Sequence, residues 1–352
     1  MPTWYVTAGA PKLGPKRDQN TGPHKNVRAC DRVKVLITGA SGFVGRHLLA
    51  GLPTAMPQAD ILAVRGPTGR GDGPAIDLAD EAATHAIVET FAPDMIVHLA
   101  AQSSVGHGSH SPDAVWRANF DGTRALAEAG RKLGERKGRA VRFIFASSSE
   151  VYGMQFNHGP CDEDAGFSPR SVYGRTKAAC ELALNDLAGP ALKATSLRLF
   201  NHTGPGQDAR FVVPALALRV AALSAGESGP IAVGNLQARR DFTDIGDIIE
   251  AYLTVMKHDP PQESAFAAFN VGSGVTRTMQ SIVDRLAEVR GSPVEVRQEG
   301  AMLRPGEILV TEGRFERFSE TYGWRPTRPF DDTVRQMLEH AYANTAASKE
   351  LP

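Results

Sequence analysis

Val33-Lys34-Val35-Leu36-Ile37-Thr38 runs directly into Gly39-Ala40-Ser41-Gly42-Phe43-Val44-Gly45. The first six residues are an apolar run rich in β-branched side chains, the pattern of a buried strand, and Val44 to Leu52 then reads as a helix. Small residues in the turn between them let the backbone approach a pyrophosphate closely. The helix start adds unpaired N–H groups and a partial positive charge. A tight turn that merely needs glycine for positive φ is the plainer alternative. Position after a strand and before a helix makes the dinucleotide reading stronger than a bare glycine pattern would.

Working outward, the alternation repeats. Asp60–Val64, Met95–Leu99, Val141–Ala146 and Ala194–Leu199 read as further strands, and helices are predicted around Glu81–Phe91, Pro112–Leu133 and Ser171–Leu187. Unbroken apolar strands joined by helices of this length demand a parallel sheet covered on both faces, so residues 32–205 are expected to form a doubly wound α/β (Rossmann) domain. After Pro205 the order is less regular. Gly and Pro punctuate it at Gly226–Pro230, Pro260–Pro261 and Arg304–Pro305, Val212–Ala225 reads as a core helix, and a last helix is expected at Phe330–Tyr342. Residues 206–345 are therefore read as a smaller lobe, with a segment at about 240–275 returning to the first domain. Residues 1–31 mix Gly, Pro, Lys, Arg and Asn without periodicity and read as a disordered tail.

Composition narrows the function. The chain has 352 residues with 39 basic and 39 acidic side chains, which argues against a broad surface for nucleic acid or an anionic membrane. Anion recognition must then be local, and an excess of Arg (29) over Lys (10) suits bidentate phosphate contacts. Cys30, Cys161 and Cys180 lie far apart, so neither a disulfide framework nor a metal site is expected, and a reducing cytoplasmic setting fits. No stretch reads as a membrane span or a signal peptide.

About twenty residues past the glycine turn, where an NAD site carries an acid for the ribose, the sequence reads Val64-Arg65-Gly66. Arg65, with Arg46 or Arg70, suits a 2′-phosphate instead, so NADP(H) is favoured over NAD(H). Asp77-Leu78 stands where a carboxylate could meet the adenine amino group. Tyr173 and Lys177 are one helical turn apart, a pairing that chance alone yields in about one chain in six. What raises their weight is the strand before that helix, which delivers Ser147-Ser148-Ser149-Glu150 at its C-terminal end, where ligands of such sheets bind. A Lys177 ammonium, helped by an oxidised nicotinamide, is expected to pull the Tyr173 phenol toward the working pH, making it a proton donor for a carbonyl reduction, or a base for the reverse, while Ser148 holds the same oxygen.

With these residues in place, the chain resembles the extended short-chain dehydrogenase/reductases that modify nucleotide sugars. The resemblance rests on Thr38–Gly45, Tyr173 and Lys177, and on His98-Leu99-Ala100-Ala101, Asn119 and Arg240-Asp241-Phe242-Thr243-Asp244. It implies cofactor contacts at Gly39, Ser41, Gly42, Phe43, Val44, Gly45, Leu99, Ala100 and Ala101 and from Tyr173 and Lys177, and a catalytic set of Ser148, Tyr173 and Lys177 with Glu150. Phe200-Asn201-His202-Thr203-Gly204-Pro205-Gly206-Gln207 and Tyr152-Gly153-Met154 look most like GDP-6-deoxy-4-keto-D-mannose reductases, which form GDP-D-rhamnose. GDP-mannose 4,6-dehydratases are close relatives, generally with Thr where this chain has Ser148, and use a Glu at the position of Glu150 as a base. The resemblance further implies Asn201, Arg240 and Arg304 as substrate contacts, the two arginines on a diphosphate. Arg240 could equally bridge to Asp241 or Asp244. A homodimer through paired helices is expected, with no nucleic-acid or membrane partner; a cofactor-sensing protein without chemistry is the rival from another class.

Overall fold

The computed structural model describes residues 32–69, 71–103, 111–224, 226, 229–259, 264–303 and 306–349, with side chains described as far as Thr345. The N-terminal stretch read as a tail, Arg70 and Arg304 lie outside the described residues. The elements run β1 (Lys34–Thr38), α1 (Phe43–Ala55), β2 (Asp60–Val64), α2 (Glu81–Phe91), β3 (Met95–His98), α3 (Pro112–Trp116), α4 (Gly122–Lys137), β4 (Val141–Ser148), α5 (Val172–Leu187), β5 (Leu192–Leu199) and β6 (Asn201–Thr203). They continue with α6 (Val212–Ser224), β7 (Ile231–Val233), β8 (Arg239–Asp244), α7 (Ile245–Lys257), β9 (Phe266–Val271), β10 (Thr276–Thr278), α8 (Met279–Arg290), β11 (Val296–Gln298), β12 (Val310–Thr311), α9 (Glu316–Tyr322) and α10 (Phe330–Lys349).

The main sheet has six strands in the order β2-β1-β3-β4-β5-β9, and every pair in it is parallel. The apolar strand runs require this, because helices cover both faces. Leu48 and Leu52 of α1, Ile248, Tyr252 and Val255 of α7, and Phe318 and Trp324 close one face. Val88 of α2, Leu126 and Leu133 of α4, and Cys180 and Leu184 of α5 close the other. A fully buried side chain of this size contributes roughly 1.5–3 kcal/mol, so the two layers fix the strands firmly. The chain leaves β1 toward β2 on one side and reaches β3 on the other, which opens a crevice at the C-terminal ends of β1 and β3.

From β1 onward the elements belong to one compact unit, and within it α6, α8 and α10 with β7 and β8 enclose a separate apolar cluster. β8 pairs with β10, β12 and β6 rather than with the main sheet, whereas β9 returns to it as a neighbour of β5. The predicted continuous helix from Pro112 to Leu133 is interrupted: Arg117–Asp121 form a π-helical turn between α3 and α4. Buried Asn119 sits in it, and the Thr123 hydroxyl bonds to the Asn119 carbonyl at 2.5 Å. Such wide turns occur where a side chain must be brought out of the regular helical register.

Candidate active site

The turn after β1 is shaped by two glycines that the chain itself requires. Gly39 has φ +71°, and a Cβ there would lie 2.6 Å from the Ala100 nitrogen; one on Gly45 would lie 2.4 Å from the Gly39 carbonyl oxygen. The turn thereby presses against the exit of β3, where Leu99 N donates to Thr38 O at 3.1 Å and Ala100 N to the Thr38 hydroxyl at 3.4 Å. Ala101 beside them is exposed. What remains open is the start of α1. Its N-cap, Gly42, offers no side-chain acceptor, and the first turn holds no acid, whereas α2, α7 and α8 are capped by Asp80, Asp244 and Thr278. An uncapped start carrying a partial positive charge fits a pyrophosphate, with Ser41, Phe43 and Val44 alongside.

At the end of β2, Arg65 donates from Nη1 to Gly69 O at 2.9 Å, and its buried Nε has no hydrogen-bond partner among the described residues. An orphaned guanidinium N–H beside an acid-free strand end fits an additional phosphate. Arg46 is bonded to the carbonyls of Ser41 and Gly206. Asp77 pairs with Arg117 at 2.8 Å, both half exposed, and caps Ala79 N; Leu78 packs beside Gly122. An exposed pair of this kind contributes on the order of 0.2–1 kcal/mol, little enough to yield to an adenine amino group.

β4 ends at Ser148, and Ser171 caps α5 by accepting from Gly174 N at 2.9 Å, so Tyr173 lies in the first turn of that helix. The fold brings Ser148, Glu150, Tyr173 and Lys177 together. Ser148 and Glu150 both lie near enough to the Tyr173 phenol to act on it, and the Glu150 carboxylate accepts from the Ser171 hydroxyl. Lys177 Nζ donates to Ala146 O at 2.6 Å and sits 4.5 Å from the Phe145 ring centroid and 5.6 Å from that of Tyr173.

One expectation is overturned. Tyr173 is not acidified: burial, and then the Glu150 charge, raise its pKa above the ordinary phenol value, with Ser148 offsetting part of this. The Lys177 ammonium faces the Ala146 carbonyl and the ring rather than the hydroxyl, so it does not stabilise a phenolate here. Lys177 itself is brought down to about 8, mainly by burial, against the opposing influence of Cys180 and Glu181. At neutral pH the pair is thus a phenol and an ammonium.

Asn201 is exposed on β6, in register with Phe242 of β8. Arg240 on β8 pairs neither with Asp241, which accepts from Ser273 and Gly274, nor with Asp244, which caps α7 and accepts from Thr333. It bonds Glu307 at 3.0 Å and the carbonyls of Arg239 and Leu309. Arg170, directly before the cap of α5, donates to the Gly306 carbonyl, tying that same segment to the Tyr173 helix.

The sequence profile of the GDP-mannose 4,6 dehydratase family matches residues 74–337. The chain belongs to that family. GDP-6-deoxy-D-mannose reductase of Pseudomonas aeruginosa is 30% identical over 308 residues, covering 87% of this chain and 96% of the relative. The structure of RMD from Pseudomonas aeruginosa complexed with NADPH superposes with a TM-score of 0.74 at 27% identity, over 89% of this chain and 99% of that one. UDP-glucose 4-epimerase of Thermus thermophilus, in complex with NAD, gives a TM-score of 0.74 at 27% identity, over 88% and 99%. The protein is thus a nucleotide-sugar enzyme of the extended short-chain dehydrogenase/reductase fold.

Further parts of this family member's site carry no local sequence signal for their contacts. Asn119 accepts from Gln102 N at 2.7 Å and donates to the Thr176 hydroxyl at 3.0 Å, holding the exit of β3 against the Tyr173 helix. His98 is bonded on both ring nitrogens, to Thr38 at 2.6 Å and Thr123 at 2.9 Å, and burial pushes its pKa down to about 3. It is a neutral structural imidazole. His202 bonds Phe200 O, its ring parallel to Phe43 at 6.3 Å, and burial lowers its pKa. Among the described residues, no cluster of His, Cys, Asp or Glu is arranged to hold a metal, and no helix is long and apolar enough to cross a membrane.

Proposed function

We propose that the protein is an NADPH-dependent reductase of the C4 keto group of a nucleotide-linked 4-keto-6-deoxy-hexose, converting GDP-4-keto-6-deoxy-D-mannose to GDP-D-rhamnose. The observation that carries this reading is the convergence of Ser148 at the end of β4 with Tyr173 and Lys177 on α5, the set that orients a carbonyl oxygen and gives it a proton. The Pseudomonas aeruginosa reductase, similar over nearly its whole length, supports the same choice. Gly39, Ser41, Gly42, Phe43, Val44 and Gly45 hold the cofactor diphosphate, Arg65 the 2′-phosphate, Asp77 and Leu78 the adenine, and Leu99, Ala100 and Ala101 line the path to the nicotinamide. When bound, the reduced nicotinamide supplies a hydride to C4.

The chain's own residues do the rest. Ser148 hydrogen-bonds the C4 oxygen and fixes its direction, and Tyr173 gives that oxygen its proton. Lys177 grips the nicotinamide ribose, and the tyrosinate left behind is reprotonated by water. Asn201 contacts the substrate, and Arg240 and Arg304 take its diphosphate in bidentate fashion. Exposed Trp116 and Leu182, at 37% and 58%, are side chains that a homodimer of this cytoplasmic enzyme would cover.

One observation favours a second reading, a GDP-mannose 4,6-dehydratase: the Glu150 carboxylate lies close enough to Tyr173 for its charge to act there. Two incubations separate the readings. NADPH consumed with GDP-4-keto-6-deoxy-D-mannose, and no keto sugar formed from GDP-mannose alone, is the expected pair of results. Keto sugar from GDP-mannose without added reductant establishes the dehydratase. NADPH binding without turnover of any nucleotide sugar would point to a sensor.

A further inference from the structure

Beneath the candidate site lies a buried polar network that the proposed chemistry leaves unexplained. Glu181 is 2% exposed and stands one helical turn beyond Lys177 on α5. Its carboxylate accepts from the Ser147 hydroxyl, and from Arg198 Nε at 3.1 Å and Nη2 at 2.8 Å. Ser147 precedes Ser148 on β4 and lies in register with Arg198 on β5. Arg198 extends the network to the Tyr152 hydroxyl at 2.9 Å, which in turn donates to Asn270 on β9 at 2.6 Å.

A buried ion pair is weak evidence for stability, because taking two charges out of water costs about as much as their attraction returns. Position is the telling feature. Lys177 bonds the carbonyl of Ala146, and Glu181 bonds the next residue, Ser147, so two successive turns of α5 are fastened to two successive residues of β4. The next residue on the strand is Ser148, and one turn before Lys177 on the helix is Tyr173.

We propose that Glu181 is a positioning residue of the reaction: held by Ser147 and Arg198, it fixes α5 on β4 so that Tyr173 meets Ser148, and it supplies the anion that faces Lys177. The groups around Lys177 leave that role to Glu181. From α5 it is faced by Tyr173, a protonated phenol, Cys180, a thiol whose pKa burial raises, and Glu181; from β3 by neutral His98; from β4 by the Ala146 carbonyl and the Phe145 ring. Burial lowers the Lys177 pKa, and Cys180 and then Glu181 act against that; of the two, Glu181 is the carboxylate.

This inference rests on the reductase reading only for its turnover arm. The direct test is a pH titration of lysine-labelled, full-length protein by NMR, with the Lys177 resonance assigned by its loss in Lys177→Arg. Glu181→Gln is expected to lower the Lys177 midpoint from about 8 by about half a pH unit or more. The double variant Glu181→Gln/Arg198→Gln removes both buried charges, leaves amides that can still hydrogen-bond, and is expected to lower it likewise, which covers failure of the single variant to fold. A midpoint within about 0.2 units of the wild type in the folded variants overturns the proposal. For geometry, Ser147→Ala leaves the ion pair in place and is expected to lower kcat about tenfold with the NADPH KM within about twofold, Ser147→Thr restoring it. Equal kcat in Ser147→Ala and wild type overturns the positioning role. A wild type that turns over no keto sugar refutes the reductase reading and leaves the titration as the judge of this one.

Discussion

The glycine turn and the Arg240 segment are the two anion-ready regions of the molecule, and they are prepared in opposite ways. The turn is contiguous in sequence and presents the start of α1 without any acid or capping side chain. The Arg240 guanidinium is already engaged by Glu307, with both side chains less than one-fifth exposed. A ligand at the first region finds fixed N–H groups waiting; one at the second must exchange partners with a carboxylate. On the proposed reading, cofactor affinity is built into the backbone, whereas substrate affinity is tuned by a competing side chain.

The largest effect should come where the two regions meet. Tyr173→Phe is expected to lower turnover at least about a hundredfold with NADPH affinity unchanged by fluorescence titration, as loss of a general acid does. On the turn side, Gly45→Ala forces a Cβ to within 2.4 Å of the Gly39 carbonyl, so the turn must shift, and NADPH affinity should fall about tenfold or more. Arg65→Ala probes the cofactor assignment: its NADPH KM should rise about tenfold while the NADH KM stays within about twofold. On the other side, Arg240→Ala should raise the KM for the nucleotide sugar about tenfold and leave kcat within about threefold, the signature of binding shared by ground and transition states. If Gly45→Ala affected only the sugar KM, or Arg240→Ala only that of NADPH, the division into two regions would fail.

The smallest effect is on stability. His98 titrates near 3 in the folded protein and near 6.5 when unfolded, so its depressed value makes the unfolded chain the better proton acceptor in that window. Its contribution is full above about 6.5 and is lost as the pH falls toward 3. Lys177, lowered to about 8 from 10.5, has the same sign at higher pH, so the unloaded protein gains stability from this group as the pH rises between those values. Denaturant midpoints across both ranges check the signs, and His98→Gln should flatten the acid one.

Legibility followed the same division. The main sheet and the Thr38–Gly45 turn were readable because strand runs, glycines and the following helix are local. The Tyr173 and Lys177 spacing was readable for the same reason. The π turn at Arg117–Asp121 was not, since it is set by Asn119 reaching Gln102 and Thr176 across the fold. Nor was the small sheet around β8, whose strands are two to six residues long and lie between Gly and Pro breaks. Glu307 lies 67 residues from Arg240, and Gly306 lies 136 from Arg170, so nothing periodic announces either contact. The direction of the Tyr173 shift was misread because spacing gives proximity to Lys177 but not the Ala146 carbonyl toward which the ammonium points.

Hydride arriving at C4 as Tyr173 gives up its proton is best checked with NADPH dideuterated at the nicotinamide C4 and GDP-4-keto-6-deoxy-D-mannose, the product being read by proton NMR. GDP-D-rhamnose deuterated at sugar C4 is expected, one label for each NADPH consumed, and almost none from Tyr173→Phe. An unlabelled product, or labelled product formed as fast by Tyr173→Phe as by the wild type, contradicts that mechanism.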